Sequence, residues 1–163
     1  MALRNIREKG DPILEKTSKE VREITPRIQE LLNDMWETLH DQQGVGLAAV
    51  QVGILKRIFI VEISEEEKYT FINPKILIEE GQQTDYEGCL SVPGKVGMVT
   101  RPDHVIVEAF DENMNLRQVD GTGLLARAIC HENDHLNGKI YVDLVEGELY
   151  DSDNVPENDD EDI

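Results

Sequence analysis

The sequence predicts an α+β domain built mainly on antiparallel sheet. Three observations predict it. Short β-rich runs separated by acidic or Gly/Asn/Pro turns occupy residues 57–120. Only two stretches space their apolar residues at a helical period. The second of these carries His131-Glu132-Asn133-Asp134-His135, an H-E-x-x-H pattern.

The elements follow in order. Thr25-Pro26 is an N-cap followed by a first-turn proline, and Ile28, Leu31, Leu32, Met35 and Leu39 then recur at helical spacing to about His40. The small apolar stretch VGLAAVQVG (45–53), bounded by glycine, suits a strand or extended loop whose backbone is approached closely. Strands are expected at 57–63, at 69–80 with a break at Asn73-Pro74, and at 95–102, 104–111 and 116–120. Thr122 caps a second helix over 123–137, with Gly138 at the left-handed C-terminal position. Residues 139–145 read as a last strand, and the acidic run beyond it as frayed or disordered.

At 163 residues the chain is expected to form one catalytic domain, residues 1–150, followed by an acidic tail, 151–163. The net charge is −18, and residues 146–163 carry nine acids and no Lys or Arg. The body is acidic too, which excludes the basic face that sequence-independent nucleic-acid binding requires. No apolar run is long enough for a signal peptide or membrane span, so a cytoplasmic location is expected. Two cysteines, Cys89 and Cys130, are too few for a disulfide framework and suit a reducing compartment.

On a helix, His131 and His135 lie about 40° apart on one face, so both imidazoles can converge on one ion with Glu132 beside them. Leu124, Ala128, His131 and His135 form one stripe, which would otherwise be a plain core face. Buried histidines need partners, and a bound cation answers both at once. A third protein ligand is required, with one position left open for water. Cys130 points about 100° away from His131 and reads as a small buried residue. Cys89, at a bend in YEGCLSVPG (86–94), and a carboxylate such as Glu87 remain equal candidates on residue chemistry alone.

Three segments together, GVGLAAVQ (44–51), EGCLS (87–91) and HENDH (131–135), resemble the signature motifs of the peptide deformylases in this order, and the similarity covers most of the chain. The resemblance implies antiparallel sheets surrounding a central metal-binding helix. It implies that Cys89, His131 and His135 hold ferrous iron, for which zinc, nickel or cobalt can substitute. Glu132 would be the general acid/base, Gln51 and the Leu90 backbone N–H would hydrogen-bond the developing oxyanion, and Gly46 would offer backbone contacts to substrate. The implied reaction removes the N-formyl group from the initiator methionine of nascent polypeptides and releases formate.

Elementary chemistry agrees with those roles: a carboxylate beside the open position can relay a proton, and amide donors stabilise a tetrahedral oxyanion. Helix geometry nominates Leu124 and Ala128, with Val45, as walls of an apolar slot for the methionine side chain, core packing being the rival account. The acidic C-terminus departs from members that dock on the ribosome through a basic helix, and counts against docking by that route. Two rivals are an H-E-x-x-H metallopeptidase cutting internal amide bonds and a non-catalytic N-terminus-binding module of the same fold.

Overall fold

The computed structural model describes residues 2–155. Helix α1 spans Pro26–Asp41, its first turn closed by the Thr25 hydroxyl, which accepts from the Ile28 N–H at 3.3 Å. Its buried face, Ile28, Leu31, Leu32, Met35 and Leu39, is the periodic set of the sequence. Next come β1 (Gly46–Ala48), a 3₁₀ turn (Ala49–Val52), β2 (Ile58–Glu62), β3 (Lys68–Glu80), β4 (Gln83–Cys89), β5 (Val92–Arg101), β6 (His104–Phe110) and β7 (Leu116–Thr122). Helix α2 (Gly123–Leu136) and β8 (Glu146–Asp151) complete the set.

Among the described residues these strands pair antiparallel throughout, in a five-stranded sheet of order β1-β2-β3-β6-β7 and a three-stranded sheet of order β4-β5-β8. Helix α2 touches β1, β2, β6 and β7 of the larger sheet and β5 of the smaller, so the sheets surround it as expected. Its apolar side chains Leu125, Ala126, Ile129 and Leu136 join Phe59, Phe71 and Val107 in one core. Burial on that face, more than helix propensity, holds α2 in place.

Several expectations change. The break at Asn73-Pro74 is a bulge inside one continuous strand: Asn73 has φ 52°, and its side-chain amide both donates to and accepts from the Val21 backbone. A bulge tolerates proline because no ladder donor is needed there. Strand β4 was not legible as a strand, since QTDYEGC has weak β propensity and is held by its register on β5. Residues 139–145 are not a strand. Ile140 and Tyr141 turn inward into a 3₁₀ turn (Tyr141–Asp143), and the Tyr141 hydroxyl donates to the Lys95 carbonyl at 3.2 Å.

The strand comes later, as β8, so the first part of the acidic run is ordered rather than frayed. Glu146 and Glu148 stay exposed there, on an outer strand where like charges remain solvated. The disorder expected of the rest of that run falls on residues 156–163, outside the described residues. Thr122 occupies the N-cap of α2 but makes no side-chain cap bond. Gly138 has φ 76° and, as a second reason for glycine, a Cβ there would lie 2.4 Å from the Glu15 carbonyl oxygen. Among the described residues no helix is long and apolar enough to cross a membrane.

Candidate active site

Three elements bring the nominated residues together. The H-E-x-x-H turns of α2 present His131 and His135 with ring centres 5.0 Å apart. Strand β4 ends at Cys89, where a register shift between Gly88 and Cys89 turns the chain back into β5. That irregularity aims the Cys89 sulfur at the helix, 3.3 Å from His135 Nε2. The ligand atoms of Cys89, His131 and His135 all lie within 4.8 Å of one another. One soft sulfur and two buried imidazoles fit a divalent transition metal with a fourth position open.

Glu87 is not among those converging atoms. It is buried, and its carboxylate accepts from Arg101 Nε at 3.1 Å and Nη2 at 2.6 Å, from Arg127 Nη1 at 2.8 Å and from His131 Nδ1 at 2.5 Å. Burial alone would oppose its ionisation, but the hydrogen bonds from His131 and Arg101 outweigh it and hold the carboxyl well below the usual range. An ionised carboxylate only accepts, so His131 Nδ1 carries the proton and Nε2 faces the site. Arg101 Nη1 also donates to Asp134 Oδ2 at 2.7 Å. The sequence reading paired Arg101 with Asp134 as one of two even options but missed Arg127 and the true place of Glu87; the local signal for Arg127 was an arginine one turn before His131.

Glu132 is buried, with Oε2 at 3.8 Å from His131 Nε2 and Oε1 without a hydrogen-bond partner. Burial pushes its carboxyl up to about 7. Gly46, on β1, faces it so closely that a Cβ there would sit 2.6 Å from Glu132 Oε2. Gln51, in the 3₁₀ turn after β1, is locked by the Ala48 N–H donating to Oε1 at 2.9 Å. That lock points its amide nitrogen at Ser91 Oγ, 3.0 Å, and at Cys89 Sγ, 3.6 Å. Cys130 lies buried in the core, where burial pushes its thiol up to about 12.

A cavity of about 520 Å³ joins these groups, and every nominated residue except His135, which lies fully buried behind it, lines the wall: Val45, Gly46, Gln51, Cys89, Leu90, Leu124, Ala128, His131 and Glu132. Leu124 corrects the expectation of a buried stripe. It is 52% exposed and stands at the cavity mouth, while Arg127 takes the buried place beside it. His40 and His104 lie elsewhere, paired with Glu62 and with Glu80 and Asp120.

Known proteins resemble this chain in sequence and fold. The family described as polypeptide deformylase matches residues 3–149. A peptide deformylase of Lachnoclostridium phytofermentans is 52% identical over 99% of this chain and 100% of its own length. One from Agathobacter rectalis is 54% identical over 93% of this chain and 95% of its own. Among solved structures, a peptide deformylase of Ehrlichia chaffeensis in complex with actinonin superposes with a TM-score of 0.87 at 39% identity, covering 90% of each chain. One from Legionella pneumophila gives 0.86 at 39% identity, over 88% of this chain and 86% of that one. With a sequence match across most of its length and the same fold, the chain belongs to the polypeptide deformylase family.

Proposed function

We propose that this protein is a peptide deformylase: it hydrolyses the formamide at the N-terminal methionine of newly synthesised polypeptides and releases formate. The observation that carries the reading is the convergence of Cys89, His131 and His135 beside the buried carboxylate of Glu132 in one cavity. A thiolate third ligand separates it from the metallopeptidase reading, whose usual third ligand is His or Glu. The in-place Glu132 and Gln51 separate it from a non-catalytic binding module.

Cys89, His131 and His135 would hold a divalent cation, ferrous iron by family likeness, with zinc, nickel or cobalt able to replace it. When bound, that ion supplies Lewis acidity that polarises a carbonyl and makes water a usable nucleophile near neutral pH. Glu132 takes the proton of the attacking water and returns it to the departing amine, so its burial and raised proton affinity suit a group that must alternate between both states. The Gln51 amide and the Leu90 N–H donate to the oxyanion as charge develops on the former formyl oxygen. Glu87 holds the His131 ring in one tautomer and orientation.

The peptide lies between two open sheet edges. Strands β1 and β4 are both terminal in their sheets, and Gly46 and Gly88 line the cavity, so an extended peptide can hydrogen-bond to backbone there. Val45, Leu124 and Ala128 wall the apolar side and receive the methionine chain. The partner is the formylated nascent peptide in the cytoplasm, with neither nucleic acid nor membrane engaged.

The test is anaerobic purification with elemental analysis, followed by formate release from a formyl-Met tripeptide beside an acetyl-Met control. Formate from the first and no acetate from the second is expected. Cleavage of internal amide bonds with no formate would replace this reading by the peptidase one.

A further inference from the structure

Gln51 and Leu90 reach the cavity from different sheets, and a strap near the N-terminus ties their two turns together. Gln51 belongs to the 3₁₀ turn after β1 of the larger sheet. Leu90 and Ser91 form the two-residue turn between the paired Cys89 and Val92 of the smaller one. Residues 7–9 join the two. The Arg7 N–H donates to the Gln51 carbonyl and the Lys9 N–H to the Ser91 carbonyl, each at 2.7 Å. The strap is itself braced, since Arg7 Nη1 donates to Asp11 at 2.9 Å and the Asp11 N–H closes a turn on the Glu8 carbonyl at 3.0 Å.

Across this joint the Ser91 and Gln51 side chains meet directly, and both are buried. The Ala48 N–H donates to Gln51 Oε1, so the two amide hydrogens sit on the opposite side, on Nε2. One goes to Ser91 Oγ at 3.0 Å, and the other faces Cys89 Sγ at 3.6 Å. With its oxygen and one hydrogen both held, the planar amide cannot turn about its own axis. Its second hydrogen stays on the side of the cysteine, where the reacting carbonyl must come. Gln51 stands in the cavity wall and Ser91 stands behind it, so the Ser91 hydroxyl can act on a substrate only through Gln51.

We propose that Ser91 is a positioning residue for deformylation: its hydroxyl accepts one Gln51 amide hydrogen and leaves the other aimed at the developing oxyanion, while the strap at residues 7–9 holds the two turns at the separation this requires. The proposal rests on the deformylase reading of the cavity and adds residues that do not touch the substrate. A donor aimed where charge develops counts most in the transition state, so the effect falls on kcat and leaves KM near the parental value.

The test follows formate release from a formyl-Met tripeptide by the full chain, with metal content measured on each preparation. Ser91→Ala is expected to lower kcat about tenfold or more, toward the roughly 10²- to 10³-fold that loss of an oxyanion donor brings, with KM within about twofold of the parent. Lys9 is exposed and stands second in the turn closed by Asp11, ahead of Gly10 at φ 107°, a place where proline is favoured. Lys9→Pro therefore keeps the turn and deletes the N–H that holds Ser91, and its kcat should fall about threefold or more below that of Lys9→Ala, which retains the N–H. In a Gln51→Ala background, Ser91→Ala should cost nothing further in kcat, a non-additivity that a general loosening of the fold would not produce. Parental kcat in Ser91→Ala, equal kcat in the two Lys9 variants, or the same Ser91→Ala loss with and without Gln51 each overturns the proposal. No formate from the parent chain would strike the deformylase reading itself and this role with it, an outcome distinct from parental turnover in the variants.

Discussion

His131 Nδ1 lies 2.5 Å from Glu87 Oε2, and the same carboxylate is gripped by Arg101 and Arg127, so a ring on α2 is oriented by an acid two residues before the cysteine of β4. The helix supplies the imidazole, and the neighbouring strand decides which of its nitrogens faces the cleft. Glu87→Gln is therefore expected to lower metal affinity about 10- to 100-fold, measured by chelator competition on folded protein. Unchanged affinity would reduce Glu87 to a counter-ion for the two arginines.

Glu132→Gln should keep the metal and lose formate release by about 10²- to 10⁴-fold. Elemental analysis and turnover on one preparation separate the two effects. Near-normal turnover removes Glu132 from the proton relay.

Gly46→Ala places a methyl group against the Glu132 carboxylate, 2.6 Å from Oε2. The carboxylate must move, and a displacement of about 1 Å is expected to cost roughly 10²-fold in kcat with metal content retained. A variant as fast as the parent would mean that Glu132 works from a different position.

Cys89→Ala should strip the metal, whereas Cys130→Ala, deep in the core, should retain it and lose only about 1 kcal/mol of stability. The opposite pattern of metal contents would overturn the ligand assignment.

His104 sits between Glu80 and Asp120, each 2.7 Å from one ring nitrogen, and these hydrogen bonds raise its pKa above the usual 6.5. A raised folded-state value means that the stabilisation is complete below about pH 6.5 and is lost as pH climbs through the folded pKa. Urea unfolding across neutral to mildly alkaline pH should show that decline in the parent and a flatter profile in His104→Gln. Parallel profiles would remove His104 from the pH dependence.

The amino-acid sequence by itself determined both helices, most of the strands and the chemical types at the site. Apolar spacing and capping residues act within one or two turns, and H-E-x-x-H needs only the helical repeat to place two imidazoles on one face. Residue chemistry left Cys89 and Glu87 even and the motif resemblance favoured Cys89, but how each meets the histidines is set by tertiary contacts, because β4 and α2 are joined by no local rule. The bulge after Gly88 turns the sulfur inward, while Arg101 and Arg127 claim the carboxylate. Likewise β4 and β8 take their strand form from pairing with β5, a partner distant in sequence. The β5–β8 pairing also brings Asp151 beside Lys95 and Ser152 to the cavity wall, which composition could not foresee. Local propensity is a property of neighbours along the chain; which charges and donors share a cavity depends on contacts that form only when the sheets close around α2.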